Sequence, residues 1–275
     1  MMDTETLFLE EIEKTVMIGS GNTAEIYEYG SECVIKLFRD GFPKQGVLRE
    51  LEIAKKIQGV CNLTPRAFKF VTYKNRYGIL YEKVCGTDMF SLLGDKPFSL
   101  FGIGKKLAII HKEIHDKDID GILSVKEKLT QEIEYEENLT PDEKKEVVDF
   151  LDKMPDKNSL CHFDFHPGNI MVDDSGYRVI DWLTACVGDP AADVARTWLL
   201  LKYGEMRDAD RKTKLLVSIV KAFIRGKYLR SVCKMSGISK KEVKKWIVPV
   251  ATARLSEWLT ERERDKLLKL IRKKL

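Results

Sequence analysis

The stretch His162–Trp182, HFDFHPGNIMVDDSGYRVIDW, decides the reading of this 275-residue chain. It opens with H-x-D-x-x-x-x-N, as His162, Asp164 and Asn169, and it closes on Ile180-Asp181-Trp182. Between them, two short β-forming runs flank the turn residues Ser175-Gly176, which predicts a hairpin. Asp164 and Asn169 share one loop and move as a unit, and the hairpin turns the chain back so that Asp181 faces that loop. Phosphoryl transfer asks little covalent chemistry of a protein. It needs a carboxylate to orient the attacking hydroxyl and accept its proton, and oxygen ligands for the metal on the phosphates. Asp164 suits the first need. Asn169 and Asp181 suit the second, because magnesium takes a few hard oxygen ligands alongside phosphate and water.

Upstream, the chain reads as strands. Ala24–Tyr29 (AEIYEY) and Cys33–Phe38 (CVIKLF) are short, β-branched or aromatic, and separated by a turn at Gly30-Ser31. Strand-like runs also start at Ala67 and Tyr77, and a helix is predicted over Gly46 to Gln58. Before the first of these strands lies Gly19-Ser20-Gly21, where glycines let backbone N–H groups approach phosphate oxygens. A dinucleotide-binding glycine loop leads into a helix. This one leads into Glu25-Ile26-Tyr27, a strand, and so reads as the phosphate-covering loop of a kinase. Lys36 sits inside an apolar strand, where a lysine can reach α- and β-phosphates if a carboxylate positions it. On the next helix, Val47, Glu50, Leu51, Ala54 and Ile57 recur at three- and four-residue spacing, which puts Glu50 on the packed face as that partner, with Glu52 further round.

The catalytic stretch, with Gly188-Asp189-Pro190-Ala191-Ala192-Asp193 after it, resembles the aminoglycoside phosphotransferase and choline kinase-type family of small-molecule kinases. The resemblance implies an α+β, protein-kinase-like bilobal fold, with a small β-rich N-lobe over residues 1–84 and a larger, mainly helical C-lobe over 85–275. It implies Mg2+ and a nucleoside triphosphate, ATP or GTP, with Asp164 as catalytic base and Asn169 and Asp181 as metal ligands. It also implies that the backbone of Glu82 and Val84 hydrogen-bonds the purine, that His162 supports the catalytic loop, and that Asp193 holds that loop by hydrogen bonds. His166 stands where protein kinases often carry a lysine near the transferred phosphate, and a histidine can donate to the same group. The expected activity is transfer of the γ-phosphate to a small-molecule hydroxyl, with aminoglycoside-like and amino-alcohol acceptors as candidates. The competing readings are a nucleotide-binding regulatory module and a protein kinase. The second lacks room for an activation segment, because Gly188-Asp189-Pro190 follows so soon after Asp181-Trp182.

Composition narrows the partners. A net charge of +4, spread along the chain, argues against nucleic acid as the main partner. The start, MMDTETLFLEEIEK, is acidic and lacks the basic, apolar and small-residue order of a secretory signal. No apolar run reaches the length of a membrane span. Six scattered cysteines without a C-x-x-C pair read as thiols of a cytoplasmic protein. His111 and His115 are four apart on a predicted helix with no third ligand in view, and so read as packing or capping groups. Glu132, Glu134, Glu136 and Glu137 read as a solvated helix face, and Trp258 beside Glu257 as a packed aromatic next to a solvated acid. Capping boxes at Thr140/Glu143, Ser239/Glu242 and Thr260/Glu263 predict three helix starts.

Overall fold

Strand β4 (Cys33–Phe38) shows why the first sheet forms where it does. Its β-branched and aromatic residues alternate, so Ile35 and Leu37 bury one face with Val71 and Leu80, while Phe38 joins Val47, Phe70 and Ile79 on the other. The computed structural model describes residues 6–8, 15–21, 23–95, 99–174, 176–205 and 210–275. Asn22, Ser175 and most of the acidic N-terminal stretch lie outside the described residues.

The chain divides into two compact units. One comprises the described residues of Met1–Asp88 with Ile170–Leu183, the other those of Met89–Asn169 with Thr184–Leu275. In the first unit a six-stranded sheet runs in the order β1 (Thr6–Phe8), β5 (Ala67–Tyr73), β6 (Arg76–Glu82), β4, β3 (Ala24–Tyr29), β2 (Met17–Ser20). Every pairing in it is antiparallel except β1 with β5. Helix α1 (Lys44–Gln58) starts two residues before the expected point and buries Val47, Glu50, Leu51, Ala54 and Ile57, the face read from their spacing. A small sheet of β7 (Thr87–Asp88), β9 (Ile170–Asp173) and β10 (Gly176–Val179) completes this unit. The hairpin of β9 and β10 pairs Ile170 with Val179, so its ladder stops two residues short of Asp181.

The second unit is mainly helical. It holds α2 (Leu92–Asp95), α3 (Leu100–His115), α4 (Val125–Tyr135), α5 (Pro141–Leu151), α6 (Pro190–Tyr203), α7 (Arg211–Ser236), α8 (Lys240–Ala253) and α9 (Glu261–Arg272). A short antiparallel pair, β8 (Ser159–Cys161) with β11 (Cys186–Gly188), flanks the catalytic segment. Full capping boxes open α5 at Thr140 and α8 at Ser239. At Thr260 the hydroxyl accepts from the Glu263 N–H, but the Glu263 carboxylate pairs instead with buried Arg254. No described helix is long and apolar enough to cross a membrane.

Candidate active site

In the first unit the strand alternation that buries Ile35 and Leu37 turns Lys36 to the face carrying Phe38 and α1. There its Nζ donates to Glu50 Oε1 at 2.8 Å and to Asp181 Oδ1 at 3.0 Å. The expected partner is therefore Glu50; Glu52 instead pairs with Lys56 on its own helix. The Tyr81 hydroxyl also donates to Glu50 Oε1, at 3.1 Å, while Glu50 Oε2 is buried without a hydrogen-bond partner. Tyr81 is a contributor that no motif announces. Its signal is positional: it stands two residues beyond Ile79 on the α1-facing side of β6. Burial alone would push the Lys36 ammonium down, but the Glu50 and Asp181 carboxylates outweigh it and hold its pKa above the ordinary value. Lys36 is thus a fixed cation, and Asp181 holds its left-handed backbone (φ +64°) beside it.

The glycine loop closes β2 onto β3, with the Gly21 N–H donating to the Ala24 carbonyl at 2.8 Å. Arg39 braces it, donating from Nη2 to Ser20 Oγ at 3.0 Å and to the Gly21 carbonyl at 2.9 Å. Gly19 lies on β2 with its α-carbon facing Ile26. Glu82 ends β6, its carboxylate accepting from the Arg66 N–H at 3.1 Å, and Val84 lies past the last ladder pair.

In the second unit the loop that carries Asp164 hangs on Asp193 of α6. Asp193 Oδ2 accepts the His162 N–H at 2.7 Å and Oδ1 accepts the Phe163 N–H at 3.0 Å. Phe163 has φ +63°, a left-handed conformation that a bulky residue adopts only when its surroundings impose it. The constraint continues on the other side of that residue, where Arg196 Nε donates to the Phe163 carbonyl at 3.0 Å. His111 Nε2 and His115 Nε2 also meet Asp193 Oδ2, at 2.9 and 3.2 Å, and His111 Nδ1 meets the Tyr228 hydroxyl at 2.6 Å. The two histidines are therefore buried hydrogen-bonding groups gathered on one carboxylate. Burial alone would raise the Asp193 carboxyl, but His111 and His115 outweigh it and hold it well below its ordinary value. Burial and the neighbouring His115 push His111 down to about 4.

Held in this way, Asp164 keeps a side chain that is 27% exposed. Its own N–H donates to His162 Nδ1 at 3.2 Å. Asn169 Nδ2 donates to the Asp164 carbonyl at 3.0 Å and to its Oδ2 at 3.2 Å, which commits the amide NH2 to Asp164. His166 Nδ1 accepts from the Gly168 N–H at 3.1 Å, and its Nε2 stands 3.7 Å from Asp164 Oδ2, beyond hydrogen-bond length.

Two sequence expectations are corrected here. Trp258 is exposed, and Glu257 is tied to Arg196 Nη1 at 2.5 Å. Glu136 is buried at the end of α4, where it binds the Asn138 N–H, because the helix stops there and turns it inward. Asp189 caps α6 and also accepts from Lys157 at 2.9 Å and from the Trp246 indole at 3.1 Å, two partners with no sequence signature.

The sequence profile of the phosphotransferase enzyme family matches residues 18–216. The chain belongs to this family. It is a small-molecule kinase of protein-kinase-like fold. A search of curated proteins by sequence returns no match. Solved structures share the fold at low identity. An amicoumacin kinase in complex with AMP-PNP, Ca2+ and Ami is 13% identical with a TM-score of 0.61, covering 97% of this chain and 89% of its own. An aminoglycoside-3'-phosphotransferase of type VIII is 17% identical with a TM-score of 0.58, covering 88% and 92%. A choline kinase from Cryptosporidium parvum is 12% identical with a TM-score of 0.55, covering 95% and 88%.

Proposed function

We propose that this kinase moves the γ-phosphate of ATP or GTP to a hydroxyl group of a small cytoplasmic molecule, with amino-alcohol and aminoglycoside-like compounds as the first acceptor classes to test. The observation that carries the reading is Asp164. Its loop is fixed by Asp193 and Arg196, one carboxylate oxygen is oriented by Asn169, and the side chain still reaches solvent. A carboxylate so placed orients a hydroxyl and accepts its proton as the oxygen attacks phosphorus. Lys36, held cationic by Glu50, supplies fixed charge for the α- and β-phosphates. The backbone of Gly19, Ser20 and Gly21 lies over them, and the backbone of Glu82 and Val84 takes the purine.

Hard oxygen donors suit magnesium, and both candidates supply them: Asn169 through its amide oxygen, Asp181 through its carboxylate. The metal would neutralise charge on the phosphates. His166, with its proton on Nε2, donates toward the transferred group.

The test is magnesium-dependent ADP or GDP release by the purified protein against aminoglycosides, amino alcohols, sugars and nucleosides. Release that rises with one acceptor class supports the reading. Nucleotide binding with no acceptor-stimulated release by any class would leave the regulatory-module reading in its place.

A further inference from the structure

Arg196 stands on α6 one turn after Asp193, and only 7% of its side chain is exposed. Three oxygens of the second unit surround its guanidinium. Nε donates to the Phe163 carbonyl at 3.0 Å, Nη1 meets Glu257 Oε1 at 2.5 Å, and Nη2 stands 3.9 Å from Asp164 Oδ1. The first two contacts are bonds, and the third is beyond hydrogen-bond length. Asp164 therefore sits beside a buried cation without being paired to it.

Two acids compete for this one guanidinium. Burial would lower the Arg196 pKa, but the charges of Glu257 and then Asp164 outweigh it and keep the side chain cationic. Glu132 also acts on Arg196 from α4, and is itself paired with Lys128 at 2.6 Å. Glu257 holds the guanidinium from the chain end of α8, following the 3-10 turn Arg254–Ser256, where its N–H donates to the Arg254 carbonyl at 3.2 Å. With Nε and Nη1 both engaged, the planar group cannot swing toward Asp164. Without Glu257, a buried cation would be drawn onto the nearest remaining carboxylate, because leaving it uncompensated is costly and a charge-assisted pair is strong.

The two oxygens of Asp164 differ in what they face. Oδ2 accepts from Asn169 Nδ2 at 3.2 Å and has His166 Nε2 at 3.7 Å. Oδ1 accepts no hydrogen bond among the described residues and faces Arg196 Nη2. Oδ1 is thus the oxygen open to an incoming hydroxyl, and a guanidinium closed onto it would cover it.

We propose that Glu257 is a positioning residue for phosphoryl transfer, holding the Arg196 guanidinium off Asp164 Oδ1 so that this oxygen takes the acceptor's proton. The proposal rests on Asp164 being the base. The hydroxyl proton passes to Oδ1 as the new O–P bond forms and the bond to the nucleoside diphosphate breaks. Glu257 lies beyond residues 18–216, the span matched by the family profile.

Two measurements test this. The crystal structure of Glu257→Gln should show Arg196 Nη2 moved to about 3 Å from Asp164 Oδ1. Turnover is read as ADP or GDP release from the magnesium nucleotide, with water as acceptor and with the best acceptor of the panel. Glu257→Gln should lower turnover roughly ten- to a hundredfold while KM for that acceptor stays within about twofold. In an Asp164→Asn background, Glu257→Gln should cost nothing further, since both changes act on one oxygen. The proposal is overturned if the guanidinium stays where it is in Glu257→Gln, if turnover is undiminished, or if the acceptor's KM rises with turnover unchanged, which would place Glu257 against the acceptor. Undiminished turnover in Asp164→Asn would overturn the reading of Asp164 as base, whereas an unmoved guanidinium would overturn the role of Glu257 alone.

Discussion

At the scale of single residues, the candidate site is built from charges that cannot be removed one at a time. Lys36 and Glu50 are both largely buried and satisfy each other. Removing one partner of such a pair leaves an uncompensated charge and costs roughly 3–5 kcal/mol. Lys36→Met should therefore lower thermal stability and weaken nucleotide binding together. In the double variant Lys36→Met/Glu50→Leu, calorimetry should show stability largely recovered while nucleotide affinity stays low. Recovery of both would mean that the lysine serves only packing. The pair was legible in the sequence because a lysine in an apolar strand and a glutamate on an apolar helix face both break pattern. Arg39, Tyr81 and Arg196 were not, because an arginine just past a strand or a tyrosine within one fits many surroundings.

His111 adds a pH dependence of known sign. Its folded pKa of about 4 lies below the ordinary 6.5, so between those values the unfolded chain takes a proton that the folded chain refuses. Its contribution, on the order of 3 kcal/mol, is present above about pH 6.5 and lost as pH falls toward 4. Denaturant unfolding followed across that window should show the decline, and His111→Gln should flatten it. The Asp193 contribution has the same sign but lies lower, since its carboxyl starts from 3.8 and is depressed further.

At the scale of elements, α3 and α7 approach so closely that Gly104 has no room for a methyl group. A Cβ there would stand 2.6 Å from Lys227 Cβ and 2.9 Å from both the Ile224 carbonyl and the Tyr228 N–H nitrogen. Gly104→Ala should thus cost roughly 1–3 kcal/mol, despite the better helix propensity of alanine, because two backbones must part. A stability at or above that of the parent would show that the helices are not locked there. Tyr228 would shift with α7, which makes His111 and Asp193 sensitive to the same change. Elements with local signals were readable: the β3 and β4 strands match their expected ranges, and the boxes at Thr140 and Ser239 mark true helix starts. Ser124 with Glu127 forms an equally complete box at the start of α4. Strand β1 is three residues long and pairs in parallel with β5, and nothing local announces so remote a partner.

At the scale of the whole molecule, the family follows from the profile match over residues 18–216, and the proposed chemistry rests on one loop and one hairpin. The acceptor was not legible, because the helical patterns of the second unit report packing. The most direct measurement is Asp164→Asn, comparing turnover with the best acceptor against nucleotide affinity by calorimetry. If Asp164 is the base, turnover should fall by roughly 10²–10⁴-fold while nucleotide affinity changes only a few-fold. Turnover equal to that of the unaltered protein would contradict the account.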